Sequence, residues 1–321
     1  MPELDILMAA YNGGRFIAEQ IDSILNQTFQ DFRLIIRDDG SSDNTPAIIE
    51  DYAEKYPGII EIVHDDVVCK NPAKNFMELL KHAKADYVMF CDQDDYWLPY
   101  KVQVTLWHMK ELERKNPGVP VLVFSGMKIV DADLSSLGKL MCIDIPERRY
   151  TFRELLPCNC AAGCTQMMNR PAYQGLGPYD DGIMIHDWWS ILYASAFGVI
   201  EHIPSVLMLY RQHENNSIGA SIGKYKRLSG VQKFLHNLVS RPVEEFFEAR
   251  ERYRAEKRHI ELFVSRYYDR LSPEKQKQLD DHMQLFGKSR IRRFIAVWKL
   301  DYLFNKGAFR KMVMAIKSFM F

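Results

Sequence analysis

Between residues 4 and 97 the hydrophobic period of the chain switches repeatedly between two values, and this alternation constrains the fold more than any other feature. Leu4–Ala10 is a short apolar run that stops at Tyr11-Asn12-Gly13-Gly14, a turn signal. Arg15–Asn26 then sets Phe16, Ile17, Ile21, Ile24 and Leu25 at helical spacing. Phe32–Arg37 reads as a second strand, Ile59–His64 as a third and Tyr87–Cys91 as a fourth. Helices fill the gaps: Thr45-Pro46 supplies an N-cap and a first-turn proline for one, and Asn75–Ala85 forms another. Strands separated by helices need parallel crossovers, so the expectation is α/β: a Rossmann-like, mostly parallel sheet flanked by helices.

With 321 residues, 47% of them apolar, the chain can bury a sizeable core. Residues 118–217 mix short strand candidates (Val119–Phe124, Val199–Ile203, Ser205–Tyr210) with loops and a helix from about Trp188. After them the texture changes. Ser240-Arg241-Pro242 opens a long helix with Phe246, Tyr253, Ile260, Phe263, Val264 and Tyr267 at helical spacing, and Ser272-Pro273 opens another. The division expected is a catalytic α/β domain over residues 1–217 and a helical appendage over 218–321.

Several classes are excluded. Glu3 and Asp5 stand where a signal peptide wants positive charge, and no run approaches the ~20 apolar residues that span a bilayer. Six cysteines are too sparse for a disulfide scaffold, and Cys158, Cys160 and Cys164 do not follow a zinc spacing, so they read as small, partly buried thiols. A cytoplasmic address fits these exclusions. The 42 basic and 42 acidic residues balance to zero, which argues against a nucleic-acid partner.

In open parallel sheets, ligands bind at the carboxyl ends of strands. Three strand ends here carry polar loops: Tyr11-Asn12-Gly13, Asp38-Asp39-Gly40 and Asp92-Gln93-Asp94-Asp95. The last crowds three carboxylates, a repulsion that a cation or hydrogen-bond donors must relieve. Hard oxygen ligands favour Mg²⁺ or Mn²⁺, an ion commonly shared with substrate phosphates. Asp38 and Asp39 are either loop or cap residues, or Asp39 accepts the imide N–H of a pyrimidine whose ring lies against Tyr11. In His186-Asp187-Trp188-Trp189 the aspartate is an N-cap, worth ~1 kcal/mol, or a general base beside an aromatic platform suited to sugar C–H faces. Tyr210-Arg211-Gln212-His213 offers a cation for a phosphate and an imidazole for a metal.

Together these pieces resemble the family 2 glycosyltransferases with the GT-A fold. The match runs through Ile6–Gly13, Ser23–Thr28, Asp38–Asp43, Asn71 with Asn75, and Phe90–Asp95, and covers residues 4–216. The later strings, with Asn215-Asn216, are similar to bacterial rhamnosyltransferases that build rhamnose polysaccharides and O-antigens. The resemblance implies that Tyr11 and Asp39 hold the base, with Lys74 near the nucleotide and Asp92 near the ribose and metal. It implies a metal site of Asp92, Asp94 and His213, with the choice between Asp94 and Asp95 open. Gly163 falls in a glycine loop near the donor sugar and acceptor, where His186, Trp188, Trp189 and Arg211 also belong. Asp187 takes the base position. Many relatives carry Glu-Asp there, so in His186-Asp187 no glutamate shares the role.

The activity implied is metal-dependent transfer of a sugar with inversion, from a nucleotide-sugar donor to a lipid-linked saccharide. dTDP-β-L-rhamnose is the first-choice donor and a UDP-hexose the alternative. A sugar nucleotidyltransferase would want a longer basic glycine-rich loop than Tyr11–Arg15, and a non-catalytic adaptor would not need Asp92, Asp94 and Asp187. The neutral total also hides an asymmetry. Residues 288–321 hold nine basic residues and one acid, against 33 basic and 41 acidic residues elsewhere. Ile291, Phe294, Ile295, Trp298 and Tyr302 share a helical face, and Phe309, Met312, Val313, Ile316 and Met320 form a second stripe. Such a tail reads as an anchor on the inner face of the cell membrane, or as a face packed on the catalytic domain or a second subunit.

Overall fold

The computed structural model describes residues 2–214 and 242–287. The chain divides into two compact units, Met1–Ser217 and Ile218–Phe321.

The first unit opens with the expected alternation: β1 (Leu4–Ala10), α1 (Ile17–Leu25), β2 (Phe32–Asp38), α2 (Thr45–Lys55), β3 (Ile60–Ile62), α3 (Pro72–Leu79) and β4 (Tyr87–Asp92). The hydrophobic strand β1 is hydrogen-bonded in parallel to both β2 and β4, and it is buried on both faces, which is why it reads as an unbroken apolar run. Its one acid, Asp5, is fully buried and satisfied by the Arg33 guanidinium at 3.0 Å and the Lys84 and Ala85 amides. The strand register decides where the loops leave the sheet. Ala10 lies opposite Asp38 and Ala9 opposite Asp92, so the three strands end level and their loops emerge side by side.

The second half brings in antiparallel pairs. After β5 (Tyr96–Trp97) and α4 (Lys101–Lys115) come β6 (Val121–Val130), β7 (Ser136–Met141), α5 (Phe152–Leu155), β8 (Gln166–Asn169), α6 (Arg170–Gln174), α7 (His186–Phe197) and β9 (Val199–Arg211). The sheet runs β3-β2-β1-β4-β8-β6-β9-β5, with β7 on β6. β8 is antiparallel to both β4 and β6, whereas β6 and β9 are parallel. The two strands expected at Val199–Ile203 and Ser205–Tyr210 are one strand of 13 residues. Pro204 sits where the β6–β9 register slips, between the Ser125–Ile203 and Gly126–Val206 pairs, a bulge that spares a proline its missing ladder donor.

The second unit contains α8 (Pro242–Tyr267) and α9 (Pro273–Gly287) among the described residues. Ile260, Phe263 and Tyr267 are buried along one face of α8. Asn215-Asn216 and the basic stripes of residues 288–321 lie outside the described residues.

Candidate active site

The loops after β1, β2 and β4 are stapled together by their own polar side chains. Asn12, at φ +48°, donates its amide to Ser41 Oγ (2.7 Å), and its side-chain oxygen accepts from the Ser42 amide (2.8 Å). The Gly13 amide donates to Thr45 Oγ1, and that of Gly14 to Asp43. Gln93 closes the other side: its side-chain amide exchanges two hydrogen bonds with the Tyr11 backbone, at 2.9 and 2.8 Å. A Cβ on Gly13 would lie 2.0 Å from Gln93 Oε1, so a side chain there would displace the Gln93 amide from its bonds to Tyr11. The polar strings of the sequence are thus largely the fabric of the site. Tyr11 itself stands 52% exposed, a free ring at the rim.

Asp39 is buried and fixes a fourth segment. Its carboxylate accepts from the Cys69 and Lys70 amides at 2.5 and 2.7 Å and from Arg37 at 3.3 Å. Arg37, buried as well, also holds Asp65 and Asn75. The pair clamps the loop carrying the exposed Val67 and Val68, and Asp39 keeps an acceptor lone pair on Oδ2. Lys74 lies on α3 with its ammonium 5.8 Å from the Tyr179 ring.

At the end of β4 the carboxylates gather. Asp94 Oδ2 and His213 Nε2 are 2.7 Å apart and partly exposed. Asp95 turns inward and is fully buried; its Oδ1 accepts from the Arg211 amide and its Oδ2 has no hydrogen-bond partner. Ligand atoms of Asp92, Asp95 and Cys164 lie within 4.8 Å of one another. Burial, then the charges of Asp94 and Asp187, push the Asp92 carboxyl up to about 7. Among the described residues the ligand atoms gathered this closely are those of Asp92, Asp95 and Cys164, not the expected set of Asp92, Asp94 and His213. The oxygens of this turn, with the His213 imidazole beside Asp94, still offer hard-to-borderline donors suited to Mn²⁺ or Mg²⁺.

Asp187 sits in the first turn of α7, buried, with Oδ2 accepting from the Gly163 amide at 3.1 Å. Oδ1 has no partner within bonding distance, though the Asn159 side chain lies near the carboxylate. Desolvation raises its carboxyl to about 7, against the opposing pull of the Gly163 and Trp188 amides. The Gly163-Cys164 pair links this carboxylate to the acid turn, since the Gly163 amide is on Asp187 and the Cys164 Sγ lies within 4.8 Å of an Asp92 oxygen.

Four expected sugar contacts are placed otherwise. Trp188 and Trp189 are core residues whose indole N–H groups donate to the Leu155 and Leu176 carbonyls, at 2.7 and 2.9 Å. Neither is an open platform. His186 is stacked on Phe76 (4.1 Å) against the Phe90 edge, and burial lowers its pKa to about 3, so it is neutral. Arg211 is buried against Phe16, pairs with Glu19, and donates to the Asp94 carbonyl at 2.8 Å. With its amide on Asp95, it shapes the acid turn from β9 instead of meeting a phosphate. Gly163 touches both partners: a Cβ there would lie 2.6 Å from His186 Nε2 and 3.2 Å from Asp187 Cβ. Sequence reasoning passes over Gln93 and Arg37, and it gives Cys164 only as a small thiol. For Gln93 a signal existed, since it stands between acids in a turn beside a glycine loop.

Comparison with known proteins gives the family and the fold. The family model described as glycosyl transferase family 2 matches residues 5–177. A dTDP-rhamnosyl transferase of Shigella flexneri is 31% identical over 242 residues, 70% of this chain and 79% of that protein. An uncharacterized glycosyltransferase of Rickettsia typhi is 26% identical, covering 75% of this chain and 74% of its own. Among solved structures, S. aureus TarS with UDP-GlcNAc shares the fold at a TM-score of 0.55 and 16% identity, over 99% of this chain and 89% of that one. A Pyrobaculum calidifontis mannosyltransferase with GDP-Man and Mn²⁺ does so at 0.55 and 15%, over 98% and 79%.

Proposed function

The chain belongs to glycosyl transferase family 2, and on that premise we propose that it transfers L-rhamnose from dTDP-β-L-rhamnose, with inversion, to a hydroxyl of a lipid-linked saccharide. The observation that carries this reading is the meeting of a crowded carboxylate turn with a second, unspent carboxylate oxygen at the shared ends of β1, β2 and β4. The donor sugar rests on the Shigella relative's name.

Each residue then has one task. Tyr11 covers the base and Asp39 accepts its imide N–H on the remaining lone pair, while the clamped Val67–Lys70 loop walls the pocket. Asp92, Asp94 and His213 would hold Mn²⁺ or Mg²⁺; Asp94 is favoured over Asp95 because it is partly exposed and faces His213. Bound there, the ion would neutralise the charge that develops on the departing nucleoside diphosphate. Asp187 Oδ1 accepts the acceptor hydroxyl's proton as that oxygen attacks the anomeric carbon. Attack and departure on opposite faces give single displacement. A double displacement would need a nucleophile at the anomeric carbon, and with Asp92 and Asp94 assigned to the ion and Asp187 to the proton this reading gives that task to no residue.

The polyprenyl-type acceptor would lie at the inner face of the cell membrane, reached through the basic tail, and the helical unit offers a surface for a homodimer. No described helix is long and apolar enough to cross a membrane.

The test is incorporation of labelled sugar from dTDP-β-L-rhamnose, with a UDP-hexose in parallel, into a lipid extract of the source cells. Transfer should need added Mn²⁺ or Mg²⁺ and vanish with EDTA. Asp187→Asn should bind donor nucleotide normally and lose transfer by at least about 10²-fold. Wild-type turnover in that variant rejects the base; preference for the UDP-hexose rejects the rhamnosyl donor.

A further inference from the structure

Lys101 is fully buried at the start of α4 and carries its ammonium into the core behind the acid turn. Nζ donates to the Cys164 carbonyl at 2.7 Å, lies 3.6 Å from Met208 Sδ and sits 4.6 Å from the Trp97 ring centroid. Burying an ammonium is costly, and a methionine would fill the same space at less cost. What the lysine adds is a directed bond to the Cys164 carbonyl and a positive charge whose field reaches Cys164, Cys91 and Asp95.

The groups it joins belong to different parts of the site. Cys164 is the middle residue of the 3₁₀ turn Gly163–Thr165, whose Gly163 amide donates to Asp187 Oδ2. Gln166, the next residue, binds the Asp187 carbonyl through its side chain at 3.0 Å. Met208 is on β9, three residues before Arg211, which holds the Asp94 carbonyl and Asp95. Trp97 pairs with Met208 across β5 and β9.

We propose that Lys101 is a positioning residue that couples the acid turn to the turn holding Asp187, so that leaving-group and proton-accepting sides keep a fixed spacing. This rests on the reading of Asp187 as the base. Without the ammonium, the Cys164 carbonyl loses this donor, and the Gly163–Thr165 turn is left to its local bonds to Ala161 and Ala162, so the Gly163 amide is held less firmly against Asp187.

The experiment uses full-length Lys101→Met, which keeps the stem, and Lys101→Gln, which keeps a neutral N–H donor. Amide hydrogen exchange, which needs no substrate, should rise at least about tenfold for Gly163–Gln166 in Lys101→Met and stay unchanged in β1 and β2. Transfer should fall at least about tenfold while metal-dependent donor hydrolysis and nucleotide affinity stay within about twofold, because water attack does not need the same base geometry. Lys101→Gln should recover part of both, and carries the comparison if Lys101→Met fails to fold. Unchanged exchange at Gly163, or equal loss of transfer and hydrolysis in both variants, overturns the proposal. Should Asp187→Asn transfer normally, the base reading fails separately, whatever Lys101 does to the turn.

Discussion

A carboxylate serves best as a base when its pKa lies near the working pH, and Asp187, the proposed base, owes that property to where the fold puts it. Burial lifts its carboxyl to about 7, although the Gly163 and Trp188 amides pull the other way. The base form is the deprotonated one, so transfer should fall as pH drops through about 7, roughly tenfold per unit below it, and level off above. The pH profile of kcat for transfer at saturating donor checks this, and a flat profile between about pH 5.5 and 8 contradicts it. The places of Asp92, Asp94, Asp187 and His213 at strand or helix ends were legible in the sequence, because turn and cap signals mark those ends; the roles given to them belong to the proposal. Arg211, Trp188 and Trp189 were misread because residue type says what a side chain can bind, not whether the fold spends it first. Arg211 has its partners in Glu19, Phe16 and the Asp94 carbonyl, and the tryptophans have theirs in backbone carbonyls of α5 and the turn after α6. Lys101 was silent for the opposite reason: a lysine after Tyr100 reads as surface until packing buries it.

Elements differ in legibility by how much of their stability is local. β1, β2 and β4 are apolar runs bounded by turn residues and could be drawn from periodicity; β5 and β8, with two and four residues, exist only because β9, β4 and β6 pair with them. Pro204 shows the same limit, since a proline argues for a break and only the bulge opposite Gly126 keeps β9 whole. The helices α8 and α9 were legible from spacing, but their titration behaviour was not. His259 and His282 are buried, and desolvation lowers them to about 3 and about 4. Both are therefore neutral when folded, whereas the unfolded chain titrates near about 6.5. Below that pH the unfolded state binds the extra protons, so stability is full above about pH 7.5 and declines as pH falls, by about 1 kcal/mol per histidine one unit below 6.5. Melting of α8 and α9, monitored by hydrogen exchange at about pH 7.5 and about pH 5.5, should show this loss. His259→Gln with His282→Gln should flatten it; an unchanged pH slope rules the histidines out.

At the scale of the whole molecule, zero net charge is an average of unlike parts. The body carries 41 acids against 33 basic residues and crowds carboxylates into the turn after β4, where the proposal puts a divalent ion and the donor diphosphate; residues 288–321 carry nine basic residues and one acid. A uniform mixture would neither draw a cation inward nor hold an anionic surface outside the site. An anionic leaflet attracts nearby Lys and Arg by ~1 kcal/mol each, and the apolar stripes led by Trp298 and Phe309 would add burial to that attraction. The electrostatic share is screened over about 8 Å at physiological ionic strength, so binding by this route must weaken with salt while the apolar share persists. Full-length protein should therefore co-sediment with vesicles containing phosphatidylglycerol, less so with pure phosphatidylcholine, and retain part of its binding at about 0.5 M salt. Removing residues 288–321 should abolish co-sedimentation while leaving donor hydrolysis intact, because the residues assigned to the donor and the ion all lie before residue 214. Equal vesicle binding by the shortened chain would place the membrane contact elsewhere, and loss of hydrolysis with the tail would mean that those residues complete the active site itself.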